Sequence, residues 1–502
     1  MKFHSIVAVM RIAPFFLAAV LACAQDRAAI ESFTASHQRQ IMAEFVDLLS
    51  IPNVATDRVN IRRNAEFIRA MLERRGVKTE LLETAGNPLV YGEKNRAGAT
   101  KTILFYIHYD GQPVDPAKWK QASPFTPVMR DGRMEDGAAL VPNFASSATF
   151  PDTWRIYARS ASDDKAPIVA FCAALDAVGD SLRSNIHVVI DGEEEQSSPS
   201  LPAAIVRYRD KLRASLLLVL DGPVHPSGRP TLAFGARGIV TLDLTVFGPK
   251  MALHSGHYGN WIPNPAVRLA QLVASMKDDQ GRTTIAGFYS DVPPLTASQR
   301  NILKSVPDDE PALLKLFGVA HPDAVGESLQ EAIQYPSLNI RGMHSGYEDR
   351  TIIPPDATAA IDIRLVKETP SAHMVQLIRA HIEKQGYHIV AGEPTDAERA
   401  QFPKLARLRA SEAASEAFRT EPDSPDALAV THALERIWGA PPVLIRTMGG
   451  TVPIAAFIRE LNVPAVSVPI VNFDNNQHGD NENLRLGNLW SGIVSLAAMV
   501  GM

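Results

Sequence analysis

The chain has 502 residues, 46% hydrophobic and 21% charged, with a formal net charge of −5 at pH 7. That length exceeds one ordinary core and predicts two domains, and the composition is that of a globular protein rather than a disordered or fibrous one. No basic stretch stands out, which argues against a nucleic-acid partner.

Lys2, His4 and Arg11 precede an apolar run, Ile12 to Ala22, that is too short to span a bilayer comfortably. Ala22 and Ala24 then supply the small residues of a cleavage site before Gln25. This order predicts a signal peptide over residues 1–24 and a periplasmic or secreted mature chain; a buried N-terminal helix is the plainer alternative. Lipid modification of Cys23 would instead make a membrane-attached lipoprotein. Once the leader is removed, Cys172 is the one cysteine left, in an Ala-rich helical run, so neither an internal disulfide nor a thiolate metal site can form.

Ala28 to Leu49 and Asn60 to Arg75 read as amphipathic helices, the second ended by Gly76. Short apolar runs follow at Thr102–Ile107, Ile186–Ile190, Leu216–Leu220 and Ala465–Val471, as buried strands of a parallel-type sheet require. Helical stretches such as Lys165 to Val178 separate them, which predicts an α/β sheet with helices on both faces. The polar stretch Gly137 to Thr153 reads as a surface loop. Near Gly238 the pattern changes: Ile239–Phe247 and Ala357–Val366 alternate apolar with polar residues, and Pro265–Met276 and Ala372–Gly386 read as helices. A small α+β domain, ferredoxin-like, is expected there. The organisation that follows is a catalytic domain over 25–238 and 421–502, interrupted by an inserted domain over 239–420.

The buried runs end in carboxylates and imidazoles. The first leads to His108 and Asp110, the next to Glu193, Glu194 and Glu195, and the third to Asp221; His478 follows the last, and Asp163 opens a helix. Ligand sites in open α/β sheets form beyond the carboxyl ends of the strands, so these groups can converge in one crevice. Imidazole with carboxylate and no thiolate suits two divalent ions, zinc first, with Mn2+ or Co2+ as alternatives. Two ions about 3.5–4 Å apart require one bridging carboxylate.

The segments His108-Tyr-Asp110-Gly-Gln-Pro, Ala161-Ser-Asp163-Asp164-Lys165, Gly192-Glu-Glu194-Glu195, Leu220-Asp221, Leu253-His254-Ser-Gly256, Ile361-Asp-Ile-Arg364, Gly449-Gly450-Thr451 and His478-Gly-Asp-Asn-Glu482 come in the order of a known family. The chain resembles the dinuclear zinc peptidases that include carnosinase, aminoacylase and glutamate carboxypeptidase (M20-type metallopeptidases). The resemblance implies a zinc-peptidase-like mixed sheet flanked by helices and an inserted lid and dimerisation domain, hence a homodimer. It implies that His108 and Asp221 hold one metal, Glu195 and His478 the other, and that Asp163 bridges them. Asp110 would orient His108, and Glu194 would be the general base that passes a proton from the attacking water to the leaving amine. His254 would polarise the scissile carbonyl of the partner subunit's substrate. Arg364, Gly450 and Thr451 would bind the substrate's terminal carboxylate. Glu482 is read as structural, tying the loop of His478. The family's cis peptide would fall at Asp163–Asp164. Where the family has Gly-Arg-Gly, this chain has Ala158-Arg159-Ser160.

Plainer readings compete. Asp163 suits a helix N-cap, Glu193–Glu195 a solvated acidic turn, and Asp221 an ordinary turn. A lone His254 is compatible with a structural role, and Arg364 with a solvent face. His187, His225, His257 and His344 carry no partner pattern. The expected activity is hydrolysis of the amide bond of a dipeptide or other small peptide. An N-acyl amino acid deacylase is the alternative, and a secreted binding protein that lost catalysis is a third reading.

Overall fold

The computed structural model describes residues 13–347, 349–411 and 414–502, with side chains from residue 27 onward. The side chains of the leader expected over 1–24, Cys23 included, therefore lie outside the described residues. No helix among the described residues is long and apolar enough to cross a membrane.

The chain divides into two compact units, one of Met1–Phe234, Thr420–Leu444 and Ala456–Met502, the other of Gly235–Arg419 and Ile445–Ala455. One segment groups differently from the boundaries expected from sequence. The segment carrying Gly450 and Thr451 groups with the inserted unit rather than with the sheet expected over 421–502, because its polar partners are there. Arg446 donates to Gln334 at 2.7 Å, the Met448 N–H bonds to the Gly235 carbonyl at 2.8 Å, and Arg364 donates to Thr451 at 3.1 Å.

The first unit is built on an eight-stranded sheet. Its centre runs in the order Asn185–Asp191, Thr102–His108, Leu216–Val219, Ala465–Ser467, all parallel, while Leu89–Lys94 and Lys78–Leu82 continue one edge antiparallel. The central strands are apolar over most of their length because helices cover both faces. Helices Ala13–Leu49, Lys165–Val178 and Leu486–Val500 pack around one core with them. Helix Arg58–Glu73 shows how the sequence directs this packing. Asp57 caps it by accepting the Asn60 N–H at 3.1 Å, and Ile61, Ala65, Ile68, Met71 and Leu72 repeat at helical spacing and are buried. Gly76, at φ 71°, turns the chain away where a side chain would be strained. Cys172 is buried in the core, and burial pushes its thiol up to about 12.

The run expected as a strand over 465–471 is a strand only over Ala465–Ser467. Pro469 lacks the N–H that a ladder would need. A small three-stranded sheet, Val128–Arg130, Arg155–Tyr157 and Asn483–Arg485, has no periodic signature in sequence because each strand is one turn of the pleat long. The stretch 137–153 is largely exposed, with one short helical turn at Phe144–Ser146, and is pinned at Phe150, whose carbonyl accepts the Trp490 indole N–H at 3.2 Å.

The second unit is a five-stranded sheet in which Gly238–Phe247 pairs antiparallel with Asp356–Leu365 and Leu405–Ala410. Helices Pro265–Ala274 and Ser371–Lys384 supply Leu269, Leu272, Met374, Ile378 and Ile382 to its core. Three further helices between 297 and 332, Ala297–Ser305, Glu310–Phe317 and Leu329–Ala332, extend this unit beyond the two-helix pattern expected.

Candidate metal centre

The register of the parallel strands places the chemistry. His108 ends its strand opposite Asp191. Leu220 bonds back to Tyr106, so Asp221 emerges from the same edge. Helix Lys165–Val178 begins there too, with Asp163 and Asp164 immediately before it joined by a cis peptide.

Asp163 is the centre of the constellation. Its Oδ1 lies 2.9 Å from His108 Nε2, its Oδ2 lies 3.0 Å from His478 Nε2, and the same His478 nitrogen is 3.2 Å from Glu195 Oε2. Ligand atoms of His108, Asp163, Asp164 and Asp221 lie within 4.8 Å of one another, as do those of Asp163, Glu195 and His478. The two groups share Asp163. The first is mostly buried; the second opens to solvent through His478, whose side chain is 55% exposed. The N-cap position belongs to Asp164, which makes no capping bond with its side chain, so the plain capping reading of Asp163 does not hold.

Asp110 is buried, and its two carboxylate oxygens accept the N–H groups of Glu194 and Glu195, each at 3.1 Å. His108 Nδ1 lies 3.3 Å from the Asp110 carbonyl and 3.5 Å from its Oδ1. Asp110 thus faces His108 with both its carbonyl and its carboxylate, and the carboxylate also holds the Glu194–Glu195 turn. Glu195 also accepts from Gln112 at 2.6 Å. Glu193 faces away from the centre, accepting the Asn87 N–H at 2.8 Å.

The charge balance suits a cation. Burial opposes protonation of His108, yet its bonds to Asp110 and Asp163 hold its pKa well above the usual imidazole range. Burial would raise Asp163 too, but the two histidines hold it below the usual carboxylate range. Elsewhere the crowding of anions wins. Burial together with the charge on Asp163 raises Glu195 to about 7 and Asp221 to about 6. Burial, opposed by His108 and reinforced by Asp221, Asp163 and Glu195, holds Glu194 well above the usual range. The bond to Asp163 brings His478 to about 8. Crowded carboxylates that gain protons for want of positive charge, with imidazole nitrogens aimed at carboxylate oxygens, form a donor set matched to divalent cations.

Sequence reasoning gave Asp164 no ligand role. Its Oδ2 accepts the His108 N–H at 3.2 Å, and its buried Oδ1 has no hydrogen-bond partner, within reach of the first group. The Asp163-Asp164 doublet was the available signal. Ser160 sits at φ 60°. That left-handed conformation costs a non-glycine residue about 1–2 kcal/mol. The 2.9 Å bond from Asn53 Nδ2 to the Ser160 hydroxyl offsets part of it.

The remaining sequence candidates lie in the second unit. Arg364 Nη1 donates to Thr451 Oγ1 at 3.1 Å, joining two of the residues expected at the substrate carboxylate; Gly450 is exposed beside them. His254 is exposed; its Nδ1 accepts the Gly256 N–H at 3.1 Å, and its ring lies 4.7 Å from that of His257. His187 and His225 are engaged away from the centre, with Tyr91 and Ser227.

The chain is similar to known proteins over most of its length. Residues 234–390 match a peptidase dimerisation domain of the M20 type. Over 479 residues, 90% of this chain and 93% of the other, the sequence is 25% identical to the Cys-Gly metallodipeptidase of Schizosaccharomyces pombe. It is 24% identical to the human Beta-Ala-His dipeptidase, covering 82% of this chain and 76% of that one. An M20 family metallo-carboxypeptidase from Sulfolobus solfataricus superposes with a TM-score of 0.74 at 29% identity, covering 92% of this chain and 98% of the other. Residues 234–390 thus match an M20-type peptidase dimerisation domain, and the chain as a whole is similar to metallodipeptidases and to an M20 family metallo-carboxypeptidase.

Proposed function

We propose that the protein is a dinuclear metallopeptidase that hydrolyses the amide bond of a dipeptide or similarly small peptide. The observation that carries this reading is the Asp163 carboxylate, one oxygen on His108 and the other on His478, shared between two groups of ligand atoms. His108 and Asp221 would hold one ion, Glu195 and His478 the second, with Asp163 between them; zinc fits the donor set best and manganese or cobalt are alternatives. Bound there, the ion pair supplies Lewis acidity and a water made nucleophilic at neutral pH.

The chain's own residues do the rest. Glu194, raised in basicity by burial, accepts the proton of the attacking water and returns it to the leaving nitrogen. Asp110 holds both His108 and the Glu194–Glu195 turn, so the base and a ligand keep a common frame. Arg364 and Thr451, already joined, present a fork and a hydroxyl to the substrate carboxylate, with Gly450 beside them. His254, exposed in the dimerisation domain, polarises the scissile carbonyl across a homodimer. The exposed Met251 and Trp261 near it, 66% and 75% accessible, supply apolar area for that interface. The order of charge, apolar run and small residues at the N-terminus supports export to the periplasm or beyond, free or lipidated at Cys23.

Relatives that are dipeptidases favour peptides over N-acyl amino acids. A panel of dipeptides and N-acetyl amino acids, assayed with added zinc, manganese or cobalt and with chelator, tests the reading. Metal-dependent cleavage of dipeptides is expected. Turnover of N-acetyl amino acids alone would reassign the chain as a deacylase, and no turnover with full metal content would make it a binding protein.

A further inference from the structure

The mechanism above leaves unused a fully buried ion pair at the base of the site. Arg159 is 2% exposed and Glu482 0%. Arg159 Nη1 donates to Glu482 Oε2 at 2.8 Å, and the Ser160 N–H reaches the same oxygen at 2.9 Å. The other oxygen, Oε1, accepts the N–H groups of Ser162 and Asp163, both at 2.9 Å. Each carboxylate oxygen therefore faces two donors, a demand that only an ionised two-oxygen acceptor meets. Arg159 Nη2 also donates to the Gly479 carbonyl at 3.0 Å, next to His478, and Ser162 Oγ donates to the Asn483 carbonyl at 2.8 Å. His478 itself sits at φ 62°, a conformation its turn must be held in.

These bonds join two segments more than three hundred residues apart in sequence, one carrying Asp163 and the other His478. We propose that Arg159 and Glu482 form a clasp that sets the spacing of the two ligand-bearing turns and so couples occupancy of the two cation positions. The inference rests on the two-metal reading above and goes beyond it. Both residues are positioning residues: Glu482 fixes the backbone of the shared ligand Asp163, and Arg159 fixes the turn of His478. Loss of the clasp should weaken both ions together, whereas loss of Asp221 or Glu195 removes a ligand from one position only.

The test is titration of the metal-free full chain with zinc against a competing chelator, repeated with cobalt, whose visible spectrum reports ligand geometry. Glu482→Gln keeps the size but turns an NH2 group toward two donors. It should lower the affinity for both ions by about 10–100-fold, as loss of a group that orients metal ligands typically does. Arg159→Lys keeps the charge and loses the fork; it should weaken the ion held by His478 more than the ion held by His108, and it serves where Glu482→Gln does not fold. Wild-type affinity for both ions in the folded variants overturns the clasp while leaving the metal reading intact. A wild-type chain that binds no metal overturns the metal reading first, and the clasp with it.

Discussion

The two units of the molecule hold their candidate residues in opposite ways. In the sheet-bearing unit the groups restrain one another: Asp163 touches two histidines, Asp110 holds the turn of Glu194 and Glu195, and Glu482 holds the turn of Asp163. In the inserted unit Arg364 bonds to Thr451, but His254 is exposed, on a two-residue strand paired with Ile352–Ile353, and its Nδ1 accepts the Gly256 N–H. As a cation centre the first set would be arranged in advance by the fold, because unpaired carboxylates cannot be buried together without positive charge. The roles proposed for Arg364, Thr451 and His254 would need groups that stay accessible until a substrate or a second subunit arrives.

The comparison breaks most visibly at Asp163. Asp163→Asn should strip both ions from the chain, read as metal content after dialysis, and abolish turnover; a variant that keeps either ion at wild-type affinity would show that the carboxylate is not shared. Glu194→Gln should keep both ions and lower kcat by about 10²–10⁴-fold, the usual contribution of a general base. Retained turnover there would remove the base assignment. In the other unit, His254→Ala should lower kcat by about 10²–10³-fold, the loss expected for one carbonyl-polarising donor. Mixing it with a Glu194→Gln chain should restore part of the activity in heterodimers. A strict monomer with full activity would cancel its role. Arg364→Met should raise KM for free dipeptides by roughly 10–100-fold, the loss of a charge-assisted bond. Peptides amidated at the C-terminus should not respond to it.

A smaller effect separates the units by pH. Glu195 at about 7, Asp221 at about 6 and His478 at about 8 all lie above their ordinary values. Burial raises the two carboxylates, and the bond to Asp163 raises the imidazole. A raised group stabilises the fold while protonated, and that contribution is lost as the pH climbs through its folded value. Asp163 is shifted down and acts only in stronger acid, outside this window. The metal-free protein should therefore melt at lower temperature at pH 8 than at pH 5, and saturating metal should reverse the order, since cations replace the protons. Thermal unfolding followed by circular dichroism reads both.

Much of the site was legible because strands of a parallel sheet deliver their ends to one edge. His108, Asp221 and the Glu193–Glu195 turn could be placed together from apolar runs that end in imidazole or carboxylate residues, and the order of motifs added Asp163 and His478 as candidates. Less visible was what depends on side-chain direction. Nothing in spacing tells that the Asp110 carboxylate, besides facing His108, accepts the N–H groups of Glu194 and Glu195. Nor does spacing tell that Glu482 reaches back to Ser160, Ser162 and Asp163. In the fold, strands of three residues carry too few side chains for a period to register, and the helices between 297 and 332 have short, interrupted apolar faces that read as loop.

Anomalous scattering from a crystal of the zinc-loaded protein tests the central claim most directly. A dinuclear centre shared through Asp163 gives a pair of peaks flanking it, one beside His108 and Asp221 and the other beside Glu195 and His478. A single peak, or peaks with no contact to the Asp163 carboxylate, would contradict it.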